Sequence, residues 1–282
     1  MTNLARILVL AVYATGYNIA FGYTGLLSLG HALFFAAGLY AAGFFAGVLN
    51  GGALVAGLVA GGAMAGAIGL LALRTTGTAF MIVTLMFAQA GYLAVLYFGG
   101  WTRGDEGFVI DRADRILWTL DLSADAARYA VALGLFALGM LGHLMLLRTR
   151  TGRVLVAVRE NAERTRMLGY DPFRYRLLAL VVSGAYAGVA GAPYALLFGY
   201  VGATFASTQY SILPLLWVLL GGAGTVLGPL VGSVLMFYLV DLAARVTDAQ
   251  LMVVGLALLA LVIFAPAGLL GTIRARIAPW LP

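Results

Sequence analysis

The feature that most constrains this chain is a series of apolar runs, most of them near the length of a membrane crossing, at roughly 5–21, 26–49, 53–73, 78–98, 127–147, 177–197, 205–221, 228–241 and 249–269. A helix needs about 20 apolar residues to cross about 30 Å of hydrocarbon. These runs, in a chain of 282 residues that is 63% hydrophobic and 10% charged, carry more apolar surface than one soluble core buries, and they are too many for a signal peptide. The expected fold is all-α: a polytopic transmembrane helical bundle forming one domain over residues 1–282. Runs 205–221 and 228–241 are short and flank Gly221, Gly222, Gly224, Gly228 and Pro229, so they read as one broken or re-entrant unit. With that pair counted once, about eight helical segments are expected.

Orientation follows from two polar connections, because arginine-rich short loops stay inside. From Arg148 to Arg176 there are eight arginines against Glu160, Glu163 and Asp171. This stretch, 148–176, is the cytoplasmic loop. From Gly99 to Ala126, only Arg103, Arg112 and Arg115 oppose Asp105, Glu106, Asp111, Asp114, Asp121 and Asp125. That segment, 99–126, is expected to face the periplasm. Arg74, Arg274 and Arg276 then fall inside as well, and the N-terminus falls outside with only Arg6 opposing it.

All 17 basic residues are arginine, and cysteine is absent. A chain without lysine cannot carry the usual phosphate-loop ATP site or a retinal Schiff base, so any use of ATP must belong to a partner. Disulfides and thiolate metal sites are excluded. His31 and His143 are too far apart in sequence for metal-ligand spacing, and no catalytic constellation is evident. The net charge of +6 sits mainly in one inter-helix loop, which argues against nucleic-acid binding.

The 38 glycines include small-residue spacings such as Gly184, Gly188 and Ala192, or Gly228 and Gly232, which let helices approach closely in lipid. Gly22-Tyr23-Thr24-Gly25 followed by Gly30 resembles Gly221-Gly222-Ala223-Gly224 followed by Gly228. Paired interruptions of this kind raise an inverted repeat with a transport pathway at its interface.

Within the cytoplasmic loop, residues 153–167 predict one amphipathic helix with apolar positions Val154, Leu155, Val158 and Met167, an i,i+4 pair Glu160 and Arg164, and a stop at Gly169. Physical reasoning alone leaves open whether it lies on lipid or docks into a soluble partner. This loop, continued through Phe173 to Ala192, resembles the permeases of branched-chain amino acid ABC transporters. Four further motifs extend the likeness: Gly22 to Phe34 with Ser28 and His31, Thr102 to Phe108, Leu220 to Pro229, and Phe264 to Leu269. The chain departs from the family pattern at Leu26, Arg103, Pro193 and Leu213, and it looks short at the N-terminal end, where many relatives have an additional span.

The resemblance implies a multi-pass permease subunit of a bacterial inner-membrane importer, with no enzymatic activity and no cofactor of its own. Two ATP-binding subunits, a second related permease or a second copy, and a periplasmic solute-binding protein are the implied partners in the lipid bilayer. Arg153, Arg159, Glu160, Asn161, Glu163 and Gly169 would couple the ATPase subunits to the spans. The substrate class implied is branched-chain amino acids, with urea or short amides as the alternative and an ion-coupled secondary transporter as the rival mechanism. The rival requires ionisable groups within the spans, which are nearly absent. Ser28, His31, Thr84 and Gln89 are the candidate pathway residues, being polar groups in otherwise apolar segments.

Overall fold

The computed structural model describes residues 1–47, 52–117, 120–246, 249–265 and 267–276. Pro266 lies outside them, as do the side chains of Arg274 and Arg276. The structure is a helical bundle in which six helices are long and apolar enough to cross a membrane. These are α1 (Thr2–Thr24), α3 (Gly52–Ala72), α4 (Thr78–Tyr97), α6 (Asp125–Arg148), α9 (Pro172–Phe198) and α11, which spans Gly228–Val246. Three further apolar helices are shorter: α2 (His31–Phe45), α10 (Thr208–Gly221) and α12 (Gln250–Phe264). Short helices complete the list: α5 (Gly99–Thr102), α7 (Arg150–Glu160), α8 (Ala162–Met167) and α13 (Gly268–Arg276).

Taking the arginine-rich side as inner, the N-terminus is outer. The Thr2 hydroxyl donates to Asp125 at the outer end of α6 (3.0 Å), whereas Gly22, near the other end of α1, accepts from Arg159 of α7. On the outer side, β1 (Phe108–Val109) pairs antiparallel with β4 (Tyr200–Val201), and β2 (Ile116–Leu117) pairs with β3 (Leu120–Asp121).

The densest packing joins α2, α3 and α9, where small residues remove the side-chain layer between helices. A Cβ on Gly188 would stand 2.9 Å from Gly61 Cα and closer still to the Gly57 carbonyl, while Gly38 backs onto Gly188 itself. In lipid, where burial gives little drive for helix association, such close approach maximises dispersion contact. The spacing of Gly184, Gly188 and Ala192 thus marks a real helix–helix seam.

Two of the three shorter apolar helices are half-helices, each preceded by non-helical backbone that supplies the rest of a crossing. At 1.5 Å per residue, α2 and α10 reach only about 20–22 Å. Residues 25–30 form the rest of the α2 crossing as non-helical backbone, entering from the inner side, and α2 then begins beside Ser183 of α9. Ser183 lies about 17 Å along α9 from its inner end, near mid-depth. Residues 199–207 enter from the outer side through β4 and a 3-10 turn at Ala203–Ala206, and α10 then runs inward from mid-depth. The N-terminal turns of the two half-helices meet there: Ala32 N–H donates to Ser211 Oγ at 2.9 Å.

The inverted counterpart of residues 25–30 is therefore the 199–207 segment. The two glycine interruptions matched in the sequence instead adjoin on the inner side, where a Cβ on Gly22 would come within 2.6 Å of Gly224 N. Of the pair expected to form one broken unit, α10 is short and α11 is a complete crossing.

The expected single helix over 153–167 is corrected to two. Asn161 takes extended angles (φ −158°, ψ 102°), ends α7 and caps α8, its Oδ1 accepting from Arg164 N–H at 2.9 Å. The break separates Glu160 from Arg164, and the ion pair found is Glu163 with Arg166 at 3.9 Å. It also removes Met167 from the apolar face of α7: Met167 is exposed, while Val154, Leu155 and Val158 are buried. Gly169 does terminate the segment, with φ +87°.

Candidate functional site

Three of the four pathway candidates converge on the start of α2. A helix N-terminus leaves backbone N–H groups without intrahelical partners, which inside a membrane must be satisfied by protein. Leu29 N–H donates to Thr84 Oγ1 (3.1 Å), Gly30 N–H to Ser28 Oγ (3.2 Å) and Ala32 N–H to Ser211 Oγ, while the Ser28 carbonyl accepts from Tyr17 OH at 3.0 Å. His31 Nε2 and Ser183 Oγ are 2.7 Å apart, and the His31 ring lies edge-on to Tyr17 with centroids 4.5 Å apart. Ser28, His31 and Thr84 are each 0% exposed. In this conformation they face one another and hold the non-helical segment 25–30 in place; they do not line an open cavity.

Gln89 is separate. It is exposed on the surface of α4, and its Oε1 accepts from the Thr208 hydroxyl at 3.2 Å. This polar pair at the first turn of α10, one member exposed and the other partly so, lies next to the junction of the half-helices.

On the inner side, α7 presents two faces. Val154, Leu155 and Val158 anchor it against the ends of α1, α6 and α9, and Thr149 caps it by accepting from Gly152 N–H at 3.2 Å. Arg153, Arg159, Glu160, Asn161, Glu163 and Gly169 are all exposed.

Arg159 does more than face solvent. Its Nη1 donates to the Gly22 carbonyl, its Cγ would sit 3.4 Å from a Cβ on Gly25, and its Nη1 would sit 3.0 Å from one on Gly224. Gly25 and Gly224 both hold positive φ (+70° and +77°), which favours glycine. The side chain thus ties α7 to the end of α1 and lies against the loop between α10 and α11.

Asn18, fully buried on α1, locks the same loop from the other side. Its Nδ2 donates to the Thr225 carbonyl and its Oδ1 accepts from Gly224 N–H, both at 2.9 Å. Asn18, Ser183, Ser211 and Tyr17 were not singled out from the sequence. A wholly polar amide in an apolar run was a visible signal for Asn18; the two serines gave none, since their partners lie more than 150 positions away in sequence.

His143 is also fully buried, edge-on to Tyr23 with centroids 5.3 Å apart. Among the described residues, no group of three or more histidine, cysteine or carboxylate side chains could hold a metal ion.

The model of the family described as branched-chain amino acid transport system / permease component matches residues 1–265. The chain is 27% identical over 300 aligned positions to the high-affinity branched-chain amino acid transport system permease protein LivM of Salmonella typhimurium, and equally to that of Escherichia coli. Each alignment covers 94% of this chain and 68% of the relative. Over 141 residues it is 33% identical to the autoinducer 2 import system permease protein LsrC of Enterobacter sp., covering 43% of this chain and 41% of that protein. No solved structure matches. A match to the family model across nearly the whole chain, on a bundle of apolar helices with the motifs in order, establishes that the chain belongs to the family of branched-chain amino acid transport system permease components.

Proposed function

We propose that this chain is the translocating subunit of an ATP-driven importer of branched-chain amino acids in a bacterial inner membrane. It would work with two ATP-binding subunits, a second permease subunit (a related chain or another copy) and a periplasmic solute-binding protein. The observation that carries the reading is the placement of Arg159: one residue on an exposed inner helix is bonded to backbone at one glycine interruption and adjoins the other. The substrate class rests on the LivM likeness, which covers 94% of the chain against 43% for LsrC.

In this reading the exposed residues Arg153, Glu160, Asn161, Glu163 and Gly169 form the surface that meets an ATP-binding subunit. Closure of the ATPase pair displaces α7 as a rigid body, since its apolar face is anchored and its two ends are capped. Arg159 and the Asn18 clamp pass that displacement to the end of α1 and to the 222–227 loop. The half-helices α2 and α10 then repack at mid-depth, opening the path to one side and closing it to the other. The chain has no lysine, so the hydrolysis site of the common phosphate-loop type belongs to the partner.

The test is affinity purification of the tagged chain from its native membrane in mild detergent, with mass spectrometry of what accompanies it. Recovery of ATP-binding subunits is expected; recovery of the chain alone from intact, correctly inserted material would overturn the reading.

A further inference from the structure

A cavity of about 370 Å³ opens between α1, α10 and α11, extending from mid-depth toward the outer ends of α1 and α11. Its walls are mostly apolar and include Leu10, Leu213, Trp217 and Phe237, while Arg6 and Asp241 bring opposite charges to the same space. The volume is at the small end of ligand pockets, which run from about 300 to 1,000 Å³, and suits a solute of amino-acid size.

Among the described residues, Arg6 forms no ion pair. Its Cζ lies 5.0 Å from the centre of the Phe198 ring, its Nε is buried without a hydrogen-bond partner, and among the described residues no carboxylate is within 4.0 Å of it. The second arginine over the same ring, Arg128, takes Asp125 for itself at 3.1 Å. Arg6 is partly exposed near the outer end of α1, and a guanidinium resting there on an aromatic face is placed to receive an anionic group. Asp241 accepts from Arg245 through Oδ2 at 2.8 Å, and the described hydrogen bonds leave its Oδ1 available. Arg6 and Asp241 do not pair with each other, so a space flanked by one positive and one negative group lies between them.

We propose that this cavity is a binding site for a free branched-chain α-amino acid in transit. The carboxylate lies on Arg6, the ammonium on Asp241, and the branched side chain against Leu10, Leu213, Trp217 and Phe237. The inference deepens the importer reading and rests on it. The lining carries one charge of each sign, with Asp241 also holding Arg245 through its other oxygen, an arrangement that matches a zwitterion, and the apolar walls exclude polar amino acids by leaving their side chains unsatisfied. The same zwitterionic chemistry is carried by a phosphatidylethanolamine headgroup, so the experiment must separate the two.

The complex, co-purified from its own membrane into detergent free of aminophospholipid, is tested for equilibrium binding of radiolabelled leucine without the solute-binding protein. Saturable binding is expected. Leucinamide, which lacks the carboxylate, and 4-methylpentanoate, which lacks the ammonium, should each compete at least tenfold more weakly than leucine. Arg6→Gln should abolish the preference over leucinamide alone, Asp241→Asn should abolish the preference over 4-methylpentanoate alone, and Arg6→Lys should keep both. A purely structural role for either residue would weaken all ligands together and would overturn the assignment. So would an absence of saturable binding by the unaltered complex, or displacement of leucine by added phosphatidylethanolamine. Leucine uptake by the complete unaltered complex with its binding protein is measured alongside: uptake without a binding signal removes only the site, whereas no uptake removes the importer reading beneath it.

Discussion

Replacement of Asn18 tests whether the inner glycine loop is held by the clamp described above. The amide makes two bonds to the backbone of one loop, a buried one to the Thr225 carbonyl and a part-buried one from Gly224 N–H. Asn18→Ala removes both and leaves the buried carbonyl without a partner, a loss of about 1–3 kcal/mol; the part-buried N–H, which water can reach, adds about 0.5–1.5 kcal/mol. The sum is about 1.5–4.5 kcal/mol. Asn18→Asp keeps an acceptor for Gly224 N–H, loses the donor and places a charge at the buried site, so it should destabilise as well. Reversible unfolding of the purified protein in mixed micelles, followed by intrinsic fluorescence, gives the number. A loss below about 0.5 kcal/mol for Asn18→Ala would refute the clamp, as would uptake per ATP that is unchanged.

Arg159→Ala should lower solute uptake per ATP hydrolysed by about fivefold or more while leaving insertion intact, because coupling between sites is typically about 1–3 kcal/mol; an unchanged ratio in proteoliposomes would refute its role. Gly188→Ala should destabilise the α2–α3–α9 seam by about 1–3 kcal/mol through overpacking, measured by the same unfolding assay, with neutral behaviour as the refuting result. On the outer side, the Ser123 hydroxyl and then Arg112 hold the Asp121 carboxyl well below the usual carboxylate range. Because the folded-state value is depressed, this support is complete at neutral pH and is lost only as pH falls below the ordinary value of 3.8. Asp121→Asn should therefore speed proteolysis of the 110–124 loop at pH 7, and equal cleavage rates would count against the pairing.

The long spans were legible because a crossing imposes a length on an apolar run, and α1, α3, α4, α6 and α9 carry uninterrupted runs of that length. Of the half-helices, α10 was legible as the short run 205–221, but α2 was not. Leu26, Leu27 and Leu29 are as apolar as a helix interior, and hydrophobicity does not separate buried extended backbone from helix in a short run. What decides it is the set of partners for the freed N–H groups, Thr84 and Ser211, which sequence order does not reveal. Asn161 was a missed signal of another kind: asparagine is among the best helix N-caps, but strong helix formers on both sides hid the boundary. His31, expected on the pathway because of its neighbouring glycines, proves to be closed in by Tyr17, Phe34 and Ser183. Arg6 entered only as topological evidence, because the cavity it shares with Asp241 is a fact of three dimensions.

The central claim is that an inner helix of this chain converts ATPase closure into passage of a branched-chain amino acid. Its most direct measurement is leucine uptake by proteoliposomes containing the complete complex, with ATP supplied on the side of α7 and the solute-binding protein on the other. Uptake that requires ATP and falls with Arg159→Ala while hydrolysis continues is the expected result. Uptake driven by an ion gradient in the absence of ATP would contradict it.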